Sequence, residues 1–135
     1  MKNFFSSKVD YKNLNSRQKE IYNFQKISSV LADYGFTTIK LSDDWMGADF
    51  IAINFDGNDF IKVQLKGRLT FDKKYISKDI HICFFHKYWY IYPHDELLKL
   101  YINEIENSTS WKVNGLYHYP YLTEKNLIRL NNYKL

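Results

Sequence analysis

The sequence predicts an α/β (α+β) fold: an N-terminal helix, then a mixed sheet of about five strands, then C-terminal helices. Three observations predict it. Apolar residues recur every three or four positions between Leu14 and Tyr34, the spacing of an amphipathic helix. Five β-prone segments then run from Phe36 to Tyr92, separated by turn signals. Helical spacing returns at His94. A long helix beside a meander of strands buries its apolar face by forming a layered α/β sandwich.

Each element has a local reason. Residues 1–13 are polar and aperiodic and read as an arm. Asn13 or Asn15 can cap the first helix, whose inward positions are Ile21, Phe24, Ile27, Leu31 and Tyr34, and Gly35 stops it. Phe36 to Leu41 is a short strand, and Ser42 to Gly47 is read as a loop. Ala48 to Phe55 is apolar on both faces, as a covered central strand should be. Asp56-Gly57-Asn58 is a strong turn signal. From Asp59 to Lys66, Ile61, Val63 and Leu65 share one face, and Lys62, Gln64 and Lys66 share the other. Gly67 to Lys78 is polar and expected to be a loop. Asp79 to Phe85 and Tyr88 to Tyr92 are two further strands around a His86-Lys87 turn. The helix from His94 to Ile105 places Asp95 and Glu96 in its first turn, where they suit its dipole. Residues 107–121 are expected to be loop, and Leu122 to about Asn131 a short last helix capped by Thr123.

Composition narrows the class. A length of 135 residues suits a single domain with its own core. One cysteine, Cys83, excludes an internal disulfide and the cysteine quartet of a zinc ribbon or an iron–sulfur cluster. No apolar run is long enough for a spanning helix, and no secretory h-region opens the chain. The expectation is therefore a cytoplasmic protein away from membranes. Net charge is +4 and pI about 9.0, too mild to signify nucleic-acid binding alone. His81 and Cys83 share a strand face, an arrangement expected of core packing, and His94 is expected at the surface. No serine motif, P-loop or dinucleotide fingerprint is present.

The hairpin around Asp56-Gly57-Asn58 carries the chemistry. If Phe55 pairs with Asp59, Asp49 lies opposite Leu65; if Phe55 pairs with Asn58, Asp49 lies opposite Gln64. Both registers bring Asp49 level with Gln64-x-Lys66, two residues that share a strand face. A carboxylate, an amide and an ammonium then converge beside a lysine-rich loop. The residues Gly47-Ala48-Asp49 and Val63-Gln64-Leu65-Lys66-Gly67-Arg68, with the preceding helix and the later Trp89-Tyr90-Ile91-Tyr92-Pro93, resemble the PD-(D/E)XK nuclease superfamily, the restriction-endonuclease-like fold. The likeness spans roughly residues 14–92. It is closest to small, uncharacterised prokaryotic members with a Gln-x-Lys motif.

That resemblance implies a metal-dependent endonuclease acting on DNA. Asp49, the Gln64 side-chain oxygen and the Leu65 carbonyl would hold Mg²⁺ or Mn²⁺, a hard cation that prefers oxygen. Lys66 would assist the attacking water or neutralise charge on the phosphate. Glu20, on the inward face of the first helix, would hold the metal through water, and Gln25 is a second helix position considered for that place. Lys62, Arg68, Lys73, Lys74 and Lys78 would contact phosphates. Gln64 departs from the family's commoner Glu and leaves one carboxylate fewer. The alternative is an inactive nuclease-fold protein that binds nucleic acid or a protein partner. A homodimer is also compatible with so small a core.

Overall fold

The computed structural model describes residues 1–135, apart from the side chain of Asp44. It is a mixed α+β protein with the expected order: an N-terminal helix, a five-stranded mixed sheet and C-terminal helices. Helix α1 (Ser16–Asp33) is capped by Asn15 rather than Asn13. The Asn15 Oδ1 accepts from the Gln18 N–H at 2.8 Å, and Gln18 Oε1 accepts from the Asn15 N–H at 2.9 Å. This reciprocal box satisfies two backbone donors at the helix start.

Strands β1 (Phe36–Trp45), β2 (Ala48–Asn54) and β3 (Phe60–Leu65) form an antiparallel meander. Strand β4 (Leu69–Asp72) leaves the sheet, and β5 (Ile80–His86) returns parallel to β3, with Lys62 opposite Ile80 and Leu65 opposite Cys83. Strand β6 (Tyr88–Pro93) pairs antiparallel with β5, giving the order β1-β2-β3-β5-β6. Helix α2 (His94–Ile105), strand β7 (Leu116–Tyr119) and helix α3 (Glu124–Leu130) complete the chain. Thr123 caps α3 as its sequence suggests.

The sheet is covered on both sides, which is why its central strands are apolar on both faces. One core lies under α1, where Ile27 and Leu31 meet Phe50, Ala52, Val63 and Cys83. The second packs Ile82, Phe84 and Tyr92 against Leu97, Tyr101 and Leu130. Full burial of a side chain such as Ile27 or Leu31 contributes about 1.5–3 kcal/mol.

Three segments depart from the sequence reading. Ser42 to Gly47 is not a loop throughout: β1 continues to Trp45, and Met46-Gly47 makes a tight turn that pairs Trp45 with Ala48. Gly67 to Lys78 contains β4 and a single helical turn, Lys73–Tyr75, with Leu69, Phe71 and Tyr75 in the core. Residues 107–121 contain a π-helical turn and β7, which pairs with β4 as a second sheet. Tyr92 ties that sheet down: its hydroxyl donates to the Thr70 carbonyl at 2.6 Å and accepts from the Thr70 N–H at 3.0 Å.

Candidate functional site

The β2–β3 register decides between the two hairpin alternatives. Phe50 pairs with Val63 and Ile53 with Phe60, so the count places Phe55 opposite Asn58 and Asp49 opposite Gln64. The Asp56-Gly57 turn sets this register. Asp56 Oδ1 accepts from the Asn58 N–H at 2.8 Å, and the Asn54 N–H donates to the Asp59 carbonyl at 2.8 Å.

Asp49 and Gln64 open into a cleft of about 510 Å³ whose walls also include Glu20, Lys66, Lys74 and Lys78. Asp49 Oδ2 accepts from the Leu65 N–H at 2.8 Å. Its other oxygen has no protein donor among the described residues. Burial pushes the Asp49 carboxyl above its ordinary range, and the nearby Glu20 charge adds to this; the Leu65 N–H and the Lys40 and Lys66 charges oppose it. Lys66 is displaced the other way. Burial lowers its ammonium and Lys74 lowers it further, against the pull of Asp72 and Asp49. Both groups are thus held in a partly dehydrated place where charge costs more than in water. The ring of Tyr75 lies beneath both cations, 5.4 Å from Lys66 Nζ and 5.2 Å from Lys74 Nζ. A cation–π contact of this kind recovers part of that cost.

The remaining predicted residues separate into those that reach the cleft and those that do not. Glu20 reaches it, at its rim, where it is 52% exposed and pairs with Lys40 at 3.3 Å. Gln25 is exposed farther along α1. Lys74 and Lys78 lie in the cleft wall. Lys73 sits over Trp111 at 5.4 Å, and Arg68 is exposed beside a small hollow formed with His86 and Tyr121. Lys62 is only 8% exposed. Its ammonium donates to the Lys78 carbonyl, contacts Met46 Sδ at 4.0 Å and lies 5.6 Å from the Trp45 ring. It therefore braces the cleft wall from behind, because a buried ammonium needs such partners. Alternation along β3 had grouped it with Gln64 and Lys66 without revealing that the chain covers it.

Tyr75 lines the cleft without a strong sequence signal, because it falls in a stretch expected to be loop. Lys40 is not part of the lining and faces Glu20 from the edge strand. His94, expected at the surface, is 1% exposed. Its Nε2 accepts from the Asp72 N–H at 3.0 Å and its Nδ1 lies 2.9 Å from Asp95 Oδ1. Burial holds it below the ordinary imidazole range against the pull of Asp95. Cys83 is buried and its thiol is pushed far up, as an inert core thiol should be.

No protein-family model and no curated protein sequence matches this chain. The functional reading therefore rests on the cleft. No group of three or more His, Cys, Asp or Glu side chains is placed to hold a metal among the described residues. What the cleft offers is sparser: the unoccupied donor oxygen of Asp49, the Gln64 amide, and Glu20 at the rim. The contact from Gln64 Nε2 to the Leu65 carbonyl is long, 3.4 Å, so it does not lock the amide. This donor set is all oxygen and suits Mg²⁺, which keeps several waters and takes one or two carboxylates together with substrate phosphate. It does not suit a cation that requires a complete protein cage. No helix among the described residues is long and apolar enough to cross a membrane.

Proposed function

We propose that this chain is a metal-dependent phosphodiesterase of the restriction-endonuclease-like kind, an endonuclease acting on DNA. The observation that carries the reading is the pair Asp49 and Lys66 in one cleft, each displaced toward its neutral form by burial. A cation beside Asp49 and a phosphate beside Lys66 would relieve both costs together. The antiparallel hairpin with Asp49 opposite Gln64, preceded by a helix bearing Glu20, supports the same assignment.

Asp49 and the Gln64 oxygen would hold Mg²⁺ or Mn²⁺ with the Leu65 carbonyl, and Glu20 would act through water. When bound, such an ion supplies a lowered pKa to a water molecule and positive charge to the scissile phosphate. Lys66 has two uses. As an ammonium it stabilises charge building on the phosphate oxygens. With its proton affinity lowered, it also orients the attacking water and exchanges a proton with it more readily than an exposed lysine would. Lys74 and Lys78, in the same wall, bind the flanking backbone.

Purified protein with Mg²⁺ or Mn²⁺ should nick plasmid DNA, and Lys66→Ala should reduce nicking by about a hundredfold or more. Nicking that persists in Lys66→Ala would refute the assignment. A second reading has its own observation: Glu20 is paired with Lys40, and no group of three or more His, Cys, Asp or Glu side chains is placed to hold a metal among the described residues. In that reading the chain binds nucleic acid or a protein partner without cleaving. Calorimetric Mn²⁺ binding that Asp49→Ala abolishes would count against it.

A further inference from the structure

A second pocket, of about 530 Å³, opens on the α1 side of the sheet and shares Lys66 with the cleft. Its walls are aromatic. Tyr11 and Tyr22 come from the arm and α1, and Phe85 and Trp89 from the β5–β6 hairpin. The rings form two tilted pairs, each with centroids 5.2 Å apart. They are not collapsed into the core: Phe85 is 53% exposed and Tyr11 is 40% exposed. Tyr11 is held in position by the Asn23 amide, which donates to its hydroxyl at 2.9 Å. Lys26 lies 5.2 Å from the Tyr22 ring, and no carboxylate lines the pocket among the described residues.

We propose that this pocket receives an unpaired nucleobase of single-stranded DNA whose backbone continues into the Asp49–Lys66 cleft. The occupant follows from the chemistry of the walls. Flat rings on both sides suit a flat heterocycle, and stacking accepts any base because every base has a π face. Lys26 and Lys66, in a pocket whose own walls carry no carboxylate among the described residues, suit an anion attached to that heterocycle. Lys66 belongs to both cavities, so the base and the phosphate it accompanies lie on the two sides of one ammonium. An acidic or aromatic peptide would meet the rings but has no reason to span both cavities.

This inference deepens the nuclease reading and rests on it, but its test is run where cleavage is silent. Full-length protein in EDTA is titrated with a fluorescein-labelled oligothymidylate, its duplex form, and an abasic strand of equal length. The oligothymidylate should bind tightest. Trp89 packs partly in the core, so the exposed rings carry the test. Phe85→Leu and Tyr11→Leu should each weaken oligothymidylate binding about fivefold to a hundredfold while leaving the melting temperature and abasic-strand binding unchanged. Phe85→Tyr, which keeps a ring, should restore affinity. Equal binding of the abasic strand, tighter binding of the duplex, no binding of the oligothymidylate, or wild-type affinity in both leucine variants would overturn the proposal. Loss of plasmid nicking with binding intact would strike the nuclease reading instead.

Discussion

Gly47 offers a test in which two separable costs can be worked out in advance. It follows Met46 in the tight turn between β1 and β2, with φ at +87°. A Cβ there would sit 3.1 Å from Cδ1 and Cε1 of Tyr75 and 3.3 Å from Cδ1 of Ile80. Comfortable carbon contacts are about 3.5–4.0 Å. Tyr75 is 2% exposed and cannot swing into solvent. Gly47→Ala should therefore lose about 1–2 kcal/mol to the left-handed backbone and about 1–3 kcal/mol more to overpacking. Gly57 is the internal control. Its φ is +77°, yet a Cβ there meets nothing within 4 Å. Gly57→Ala should lose only the backbone part, about 1–2 kcal/mol. For a chain of this length each kcal/mol moves the melting temperature by about 3–5 °C. Circular-dichroism melts should thus place Gly47→Ala below Gly57→Ala by several degrees. If the two variants melt together, the contact with Tyr75 is not constraining and the reasoning fails. Nicking should also drop in Gly47→Ala at temperatures where it remains folded, because Tyr75 underlies Lys66.

Two further outcomes follow from buried or paired charges. His94 is held below its ordinary range, as is His81, by burial. The unfolded chain takes up protons at these rings first, so stability should begin to fall below about pH 6.5 and continue downward until the folded rings titrate. Urea midpoints between pH 8 and pH 5 would show this; His94→Asn should flatten the profile although it lowers stability throughout, and an unchanged slope would refute the assignment. Glu104 accepts from Arg129 and Lys125 at 2.8 Å each, and these contacts lower its carboxyl to about 2. Its contribution is present above the ordinary carboxylate range and is lost as pH falls toward 2. Because Glu104 is partly exposed, Glu104→Gln should cost only about 1 kcal/mol in denaturant unfolding at pH 7; no change would mean that α3 does not depend on this contact.

The parts of the fold that were legible in the sequence are those whose cause is local. The i, i+3, i+4 pattern through Phe24, Ile27 and Leu31 sets α1, and the aspartate–glycine turn after Phe55 sets the hairpin, so counting brings Asp49 level with Gln64-x-Lys66 but leaves two registers, between which the β2–β3 pairing decides. Strands β4 and β7 were not legible because each is four residues long and their pairing joins Leu69 to Tyr119. Leu69 and Phe71 are separated by a threonine and lie among Arg68, Asp72 and lysines, which mask the alternation. The burial of Lys62 and His94 was hidden for a related reason. Both are covered by segments distant in the chain or by backbone groups, and a polar residue's burial depends on those partners rather than on its neighbours. For the site, spacing brought Asp49, Gln64 and Lys66 together, whereas the lining role of Tyr75 depends on where residues 66–79 turn.

That connection has a kinetic consequence. Strands β3 and β5 are parallel, so residues 66–79 must complete a crossover before Leu65 can meet Cys83. Closing such a loop costs entropy before any pairing repays it. The same segment carries Lys74, Tyr75 and Lys78 into the cleft. The β2–β3 hairpin can therefore present Asp49 and Gln64 early in folding, but the cationic wall forms only once the parallel ladder closes. A chain stalled at the hairpin would hold Asp49, Gln64 and Lys66 without Lys74 and Lys78, so full capacity to engage a phosphate backbone should appear in the same kinetic step as native sheet structure.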